Sequence, residues 1–344
     1  MKAIERESEF SGIPASFSVR PATPGDSGIA TDLFNRCSLE QLGHTEFTAE
    51  DLDHEWQSPG FDLAQDTRLV FAPDGTLVGY VELWATAPYV RMYSWGRVDP
   101  QHRGHGVGTS LLQWVENKAR RRLSQAPEGT QVVLVQGTLS TDLLAQELFA
   151  IRGFSLARYF SRMVIELDGP VPDPVLPEGI VIRPFVRGVE ERALIRAISV
   201  AFKDHWGYVQ RPEEEDFRQW MHHIDHDPEF DPSLWFVAMA GTEIAGMSLC
   251  HNHLPEDPEM GWVGTLGVLR PWRHQGLGLA LLHHSFREFQ HRGRRRIGLG
   301  VDAQSLTGAT RLYERAGMKV VRQYVNFEKE LRPGKNLATL DLGA

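Results

Sequence analysis

The same glycine-rich turn occurs twice in this chain, in the same setting each time. Residues 98–108 read VDPQHRGHGVG and residues 268–278 read VLRPWRHQGLG, so the two copies are offset by 170 residues. Each copy follows a short apolar stretch and begins an amphipathic one, a pattern that predicts a strand, a turn and a helix. The chain is therefore expected to fold as a repeat of one α and β unit.

Both turns are predicted to bind anions. Glycine lets the backbone approach a bound group closely, and the free N–H groups at a helix start point at any anion there. Each turn is thus expected to form a site of pyrophosphate size, to which its arginine either adds charge or is merely adjacent. The residues assigned to the two sites are Val98, Arg103, Gly104, His105, Gly106, Val107 and Gly108, then Arg273, His274, Gln275, Gly276, Leu277 and Gly278.

Further landmarks recur in the same order and define two domains. They are the segments 19–21 and 182–184, the glycine turns 75–79 and 241–246, and the helical segments 148–154 and 312–318. We predict an N-terminal domain over residues 14–168 and a C-terminal domain over residues 179–332. A proline-rich linker, residues 169–178, would separate them as a semi-rigid spacer. The tail, residues 333–344, carries little pattern and is expected to be loose.

Bulk properties limit the classes of function. The net charge of −9 argues against a nucleic-acid partner. The two cysteines, Cys37 and Cys250, imply no disulfide framework and fit a reducing cytoplasm. No apolar run approaches the ~20 residues that cross a bilayer, and the N-terminus lacks a signal-peptide pattern. We expect a cytoplasmic monomer or homodimer without a membrane partner.

The second copy predicts the element order β-αα-βββ-α-β-α-β. Its apolar spacing indicates helices over residues 189–202, after Pro212, over 278–291 and over 307–316. Strands are predicted at 179–184, 234–240, 243–251, 262–268, 295–301 and 319–329. This order corresponds to the α+β (mixed α/β) class, in which a mixed sheet is flanked by helices.

These motifs resemble the GCN5-related N-acetyltransferases, the GNAT superfamily, in a tandem arrangement. The resemblance rests on the strand that enters the turn Arg273-x-x-Gly276-x-Gly278, on the helix after it, and on the signature Leu312-Tyr313-x-x-x-Gly317. It implies two tandem acyl-CoA N-acyltransferase domains with acetyl-CoA (coenzyme A) as the donor. Transfer to a primary amine, most simply that of a small molecule, would proceed by direct attack in a ternary complex.

The resemblance also assigns roles within the second copy. The pyrophosphate would lie on the second turn, and the pantetheine arm would pair with Leu266, Gly267 and Val268. Tyr313 would protonate the departing thiolate, and the N–H of Leu266 would stabilise the oxyanion. Ser305 would contact the arm where tandem relatives often have asparagine. For Tyr313, packing in the core is the competing interpretation.

The general base is harder to assign. Many relatives have a glutamate four residues before the oxyanion position, and this chain has Trp262 there. Glu259 is the candidate base, with Asp257, His251 and His253 as alternatives, and for each of them a solvated loop residue is the simpler interpretation. The segments 204–206 and 213–216 fall in the paired helices that line the acceptor cleft in relatives, so an acidic rim is a further hypothesis.

The two copies are not equivalent. Where the second has Tyr313, the first has Phe149, which has no proton to donate. We therefore predict a catalytic C-terminal domain and an N-terminal domain that binds or stabilises. The alternatives are a non-catalytic acyl-CoA-binding or regulatory protein and an acetyltransferase for protein lysines or N-termini. No metal is predicted, because His222 and His226 lack the accompanying glutamate of a zinc motif.

Overall fold

The structure is a computed structural model that describes residues 10, 12–227, 230–254 and 256–341. The elements of the first repeat are β1 (Ser18–Arg20), α1 (Ser27–Leu42), α2 (Ala49–Trp56), α3 (Leu63–Asp66), β2 (Thr67–Phe71), β3 (Leu77–Trp84), β4 (Arg91–Val98), α4 (Val107–Arg121), β5 (Val132–Leu139), α5 (Leu143–Ile151) and β6 (Ser155–Glu166). Those of the second are β7 (Ile180–Pro184), α6 (Glu191–Phe202), α7 (Glu213–His226), β8 (Trp235–Ala240), β9 (Glu243–His251), β10 (Met260–Val268), α8 (Leu277–His291), β11 (Arg296–Asp302), α9 (Ala309–Arg315) and β12 (Lys319–Arg332). The second repeat has the predicted element order.

The chain forms two compact units that are not contiguous in sequence. Unit 1 runs to residue 157 and includes residues 325–337, whereas unit 2 comprises residues 158–324 and the residues from 338 onward. These units differ from the predicted domains, residues 14–168 and 179–332. The reason is that residues 158–166, at the end of the first repeat, belong to unit 2, and residues 325–332, at the end of the second, belong to unit 1.

Each unit contains a mixed sheet flanked by helices. In unit 1 the strand order is β1-β2-β3-β4-β5, followed by residues 325–332 of β12. In unit 2 it is β7-β8-β9-β10-β11, followed by β6. The parallel pairs β4–β5 and β10–β11 occupy equivalent positions in the two sheets. These observations confirm the predicted α+β class of two tandem domains.

Helix α8 illustrates why the sequence folds in this way. It begins after Gly276, whose backbone is left-handed, and it is followed by Gly293, which is left-handed as well. Its apolar side chains recur at helical spacing and are buried, and three of them share a core cluster with Val263 of β10 and Ile297 of β11. These buried helix residues are Leu277, Ala280, Leu281, Leu282, Phe286 and Phe289. The helix is thereby fixed directly after the second glycine turn.

The linker and the tail are both held by hydrogen bonds. In the linker, Gly169 accepts a 2.9 Å bond from the side chain of Gln290, and Asp173 forms an ion pair with Arg287. In the tail, the N–H of Lys335 donates to Gly129 at 2.7 Å, and the N–H of Thr339 donates to Tyr208 at 2.9 Å. The tail therefore differs from the predicted loose segment over residues 335–339, because the backbone of nearby loops satisfies its polar groups. Residues 342–344 lie outside the described residues.

Two further expectations from the sequence concern membrane-spanning helices and the cysteines. Within the described ranges, no helix combines the length and the apolar character that crossing a bilayer requires. Cys37 and Cys250 are both free thiols, and both are buried.

Strand β3 of unit 1 carries a buried carboxyl group. Glu82 is 5% exposed and accepts hydrogen bonds from the hydroxyl of Tyr80 at 2.6 Å and from the indole of Trp84 at 2.9 Å. Trp56 in turn donates to the hydroxyl of Tyr80 at 3.0 Å. Burial raises the pKa of Glu82 to about 8, so this group is largely protonated at neutral pH in the folded chain.

We expect Glu82→Gln to stabilise unit 1 at pH 8. The unfolded chain loses the proton of Glu82 near its ordinary pKa of 4.5, whereas the folded chain keeps it until about pH 8. Stability therefore falls as the pH rises through this window, and glutamine removes the loss, on the order of 4 kcal/mol at pH 8. Urea unfolding at pH 5 and pH 8 measures it. The exposed Glu128→Gln is the control, and equal pH dependence in the two variants would contradict the assignment.

Candidate active site

The two glycine turns have the same backbone conformation. In the second copy His274 and Gly276 have left-handed φ values of 61° and 85°, and α8 begins at the next residue. In the first copy Gly104 and Gly106 have φ values of 80° and 77°, and α4 begins at the next residue. Alternating backbone conformations of this kind orient successive N–H groups toward one concavity, beside a helix start with free donors. Both turns therefore have the backbone conformation of an anion-binding turn.

The strand that leads into the second turn diverges from its neighbour. Strand β10 pairs with β11 only over residues 260–263, opposite residues 296–299. Between Val263 and Thr265 its register against β9 shifts by one residue, so Gly264 forms a bulge. A gap between two parallel strands leaves backbone N–H and C=O groups that an extended ligand arm can pair with.

Unit 2 contains a cavity of about 360 Å³ at this gap. Three predicted site residues line it together, namely Leu266, Ser305 and Tyr313. The cavity lining reaches Leu266 on β10, and Gly267 and Val268 continue that strand toward the turn. Trp262, which replaces the glutamate of relatives, also lines the cavity, and the guanidinium of Arg162 lies 5.1 Å from the centre of its ring.

Tyr313 lies on α9 with 7% of its surface exposed. Its ring belongs to the core cluster of unit 2, yet the residue also lines the cavity, so packing and catalysis are compatible. Burial raises the pKa of its phenol to about 12, which keeps the proton on the hydroxyl at neutral pH. In the part of the chain that the structure describes, this hydroxyl has no hydrogen-bond partner. The phenol is therefore free to donate to a ligand in the cavity.

Ser305 lines the cavity, but its hydroxyl also shapes the start of α9. The Oγ atom lies 3.1 Å from the hydroxyl of Thr307 and accepts bonds of 3.3 and 3.4 Å from the N–H groups of Thr307 and Ala309. A serine in this position holds the local turn, which an asparagine side chain would also do.

Glu259 is not among the residues that line the cavity. It precedes the first residue of β10, its side chain is 88% exposed, and it forms an ion pair with Arg294 at 3.9 Å. Leu266 is seven positions after Glu259, and at about 3.3 Å per residue this corresponds to roughly 23 Å along the strand. The structure therefore does not bring the provisional base together with Tyr313 and Leu266. Proximity in sequence did not account for the extended path of β10.

The arginines of both turns are engaged by the protein itself. Arg273 donates to Val268 at 2.9 Å and to Ala201 at 3.0 Å, and it forms a 2.5 Å ion pair with Asp204. Arg103 forms a 2.6 Å ion pair with Glu40. Their guanidinium groups hold the turns in place. This agrees with the interpretation in which each arginine is adjacent to the anion site and does not add charge to it.

The first two acidic residues of α7 are likewise paired. Glu213 contacts Arg196 at 2.7 Å and Glu214 contacts Arg192 at 2.8 Å, both on α6. These ion pairs neutralise the carboxylates and join the paired helices. None of them belongs to the cavity lining, so the hypothesis of an acidic rim finds no support in the structure.

The cavity lining includes part of one predicted segment and two residues that no motif indicated. His205 and Trp206 belong to the segment 204–206, which the resemblance placed at the acceptor cleft, whereas Phe160 and Ser161 come from β6 at the end of the first repeat. The residues of β6 were missed because their strand lies in the other repeat, and no spacing rule connects them to the second turn.

Unit 1 has a comparable cleft with different chemistry. Its volume is about 460 Å³, and its lining includes the turn residues Val98, Arg103, Gly104, Gly106, Val107 and Gly108. Phe149 occupies the position equivalent to Tyr313 and packs on Phe327 at 5.6 Å between ring centres. The register of β4 against β3 runs without a shift from Tyr93 to Val98. This cleft therefore presents a turn for an anion beside an aromatic ring that has no hydroxyl.

The sequence matches the family model of the acetyltransferase (GNAT) family twice, over residues 30–154 and 195–318. Together these matches cover more than half of the chain, and each includes one glycine turn. The chain belongs to the GNAT acetyltransferase family. It is an N-acetyltransferase of the acyltransferase class, and its acyl donor is acetyl-CoA.

Two curated relatives are mycothiol acetyltransferases of Streptomyces species. The mycothiol acetyltransferase of Streptomyces scabiei is 31% identical over 268 residues, which cover 77% of this chain and 78% of that protein. The mycothiol acetyltransferase of Streptomyces bingchenggensis is 33% identical over 251 residues, with coverages of 71% and 75%.

Solved structures agree on the fold. A GCN5-related N-acetyltransferase from Sphaerobacter thermophilus is 36% identical and superposes with a TM-score of 0.78, covering 94% of this chain and 99% of that one. A tandem GNAT protein from the clavulanic acid biosynthesis pathway is 16% identical, with a TM-score of 0.69 and coverages of 93% and 100%. The second likeness concerns the tandem fold alone.

Proposed function

We propose that unit 2 transfers the acetyl group of acetyl-CoA to a primary amine of a small molecule by direct attack in a ternary complex. The observation that carries this proposal is the cavity of about 360 Å³, in which the phenol of Tyr313 and the diverging segment of β10 line one space. A diphosphate on residues 273–278 would direct the thioester along Val268 and Gly267 toward that cavity.

Each step of the transfer has a group available. The N–H of Leu266, at the diverging end of β10, would stabilise the negative oxygen that forms when the amine attacks. Tyr313 would give its proton to the departing thiolate, and its raised pKa keeps that proton available at neutral pH. The C–N bond forms, the C–S bond breaks, and a proton from the amine nitrogen restores the phenol.

Direct attack is favoured over an acyl-enzyme route. Cys250 is 1% exposed, and burial raises the pKa of its thiol to about 11. A buried neutral thiol is a poor nucleophile, and Cys250 is not among the residues that line the cavity.

We assign catalysis to unit 2 and binding or stabilisation to unit 1. Phe149 provides no acid, and the unshifted register of β4 provides no bulge at the position equivalent to Gly264. The cleft around the first turn remains large enough to accept a nucleotide-like anion. Unit 1 would then bind a second acetyl-CoA or support the fold without transferring acetyl groups.

The acceptor is proposed to be a small molecule because the curated relatives are named mycothiol acetyltransferases. The fold alone does not decide between this acceptor and a protein lysine or N-terminus. The test is the release of free thiol from acetyl-CoA against a panel of aminosugars, aminoglycosides, polyamines and peptides, with an amine-free blank. Acetylation of the peptides alone would favour the protein acceptor. Release no faster than the blank for every amine would exclude the proposed activity.

We expect Gln275→Glu to raise the KM for acetyl-CoA about tenfold, with a smaller change in kcat. Gln275 is exposed within the second turn, so a carboxylate there would repel a bound diphosphate by roughly 1–2 kcal/mol after screening. The matched control is His105→Glu at the equivalent position of the first turn, for which the KM is expected to stay within about twofold. Equal effects in both variants would mean that the transferring coenzyme does not lie on the second turn alone.

A further inference from the structure

One histidine that lines the cavity of unit 2, His205, has no role in the transfer described so far. The ionisable side chains that line the cavity are Arg162, His205, Asp302, Tyr313 and Tyr324. Tyr313 is the proposed acid, and the other residues apart from His205 have protein partners. An amine that binds as an ammonium ion must also lose a proton before it can accept the acetyl group. Neither Trp262 nor the remote Glu259 provides the acceptor for that proton.

The other ionisable groups are already engaged. Asp302 forms a 2.8 Å ion pair with Arg158, and one of its oxygens also accepts the N–H of Gln304 at 3.0 Å. Arg162 forms a 2.7 Å ion pair with Glu256. The hydroxyl of Tyr324 accepts a 3.2 Å bond from Arg322.

His205 is held without a hydrogen bond to its ring. Its backbone N–H donates to Phe202 at 3.0 Å, and its ring centre lies 4.3 Å from that of Phe202, so packing on the end of α6 orients the imidazole. In the described part of the chain, neither ring nitrogen has a hydrogen-bond partner. An imidazole that lines a cavity in this way can accept a proton from a ligand there.

Burial keeps His205 neutral and ready to accept a proton. It is the largest influence on the imidazole and lowers its pKa, and the charge of Arg273 acts in the same direction. The carboxylates of Asp302 and Asp204 act in the opposite direction and would stabilise the imidazolium once it forms. At neutral pH the ring therefore carries a free lone pair.

We propose that His205 accepts the proton that the amine must lose before it attacks the thioester. This inference rests on the proposed function of unit 2. One proton of the ammonium passes to the imidazole and then to solvent. A second leaves the nitrogen when the C–S bond breaks, and it replaces the proton that Tyr313 gives to the thiolate. The sum is one amide, one free thiol and one proton released.

The test compares variants of the full-length chain with the best amine of the panel. His205→Gln is expected to lower kcat/KM at least about 100-fold at neutral pH and to remove the fall in rate that the parent shows on the acidic side. His205→Ala in buffer containing imidazole is expected to regain activity in proportion to the imidazole concentration. The matched control is His223→Gln on α7, whose pKa burial also lowers but which does not line the cavity. It should keep the parent rate.

Two results would overturn this role. In one, His205→Gln keeps kcat/KM within about threefold of the parent, with the same pH profile. In the other, the alanine variant is inactive but not rescued by imidazole, while His205→Gln retains the acidic limb, which would identify a positioning residue. Both differ from a failure of the proposed function, in which the parent chain itself would release thiol no faster than the blank.

Discussion

Tyr313→Phe is expected to lower kcat about 100-fold or more while the KM for acetyl-CoA stays within about threefold. The substitution removes only a hydroxyl, which has no hydrogen-bond partner in the described residues, so packing of the ring in the core is preserved. What is lost is the proton for the thiolate. Steady-state kinetics with a saturating amine measures the change, and thermal unfolding within about 1–2 °C of the parent verifies the fold.

The control for this prediction lies in the same cavity. Tyr324 also lines it, but its hydroxyl accepts a bond from Arg322, so Tyr324→Phe is expected to change kcat by no more than a few-fold. If Tyr313→Phe also changed kcat by no more than a few-fold, the assignment of the acid to Tyr313 would be wrong. Its side chain would then serve only to pack in the core.

The second large effect is expected from Asp204→Asn, which should lower the free energy of unfolding of unit 2 by about 2 kcal/mol. Asp204 is 3% exposed and pairs with both Arg270 and Arg273, which ties the end of α6 to the second turn. Removing one partner of a buried pair typically costs about 3–5 kcal/mol, and solvent around the exposed Arg270 reduces this figure. Asp225→Asn, in an exposed pair with Arg187, is the control and should cost less than about 0.5 kcal/mol.

The effect of Asp204→Asn should depend on pH in a defined direction. The hydrogen bonds from Arg270 and Arg273 hold the pKa of Asp204 well below its ordinary value of 3.8. A depressed pKa contributes stability that is full above the ordinary value, declines as the pH falls below that value, and is lost as the pH falls through the depressed pKa. The difference between the parent and the variant should therefore be full at pH 6, shrink below about pH 4 and be clearly smaller at pH 3. A constant difference between pH 6 and pH 3 would show that the charge of Asp204 is not the cause.

The repeated turn was the part of the fold best predicted from the sequence. Glycine at positions 104, 106 and 276 reports directly on left-handed backbone, and the helix after each turn follows from apolar spacing. His274 shows the limit of this reasoning, because it adopts in the second copy the conformation that Gly104 adopts in the first. The tyrosine signature likewise placed Tyr313 in the cavity, since α9 follows β11 after a short connection.

Partners of charged residues were not predictable in the same way. Arg273 and Arg103 stand beside the turns in sequence, and only the three-dimensional contacts with Asp204 and Glu40 reveal that their charge is already balanced. Glu259 shows the reverse error, because a residue a few positions from the site in sequence lies far from it along an extended strand. The role proposed for His205 likewise depends on the ion pairs and hydrogen bonds of the groups around it, which sequence patterns do not predict.

The assignment of strands to units was beyond the reach of the sequence for a different reason. The two repeats have the same order of strands, so periodicity gives no preference for the sheet that a terminal strand joins. The sequence is therefore equally compatible with residues 158–166 and 325–332 in either unit. Only the three-dimensional contacts show which unit each segment joins.

This division has a practical consequence for attempts to cut the polypeptide at its proline-rich joint. A fragment ending near residue 170 would lack residues 325–332 and retain residues 158–166, while the complementary fragment would have the opposite defect. Each piece would expose the unprotected border of a β-sheet, which promotes self-association. The functions of the two units should therefore be tested by point substitutions in the intact polypeptide and not by expressing the halves separately.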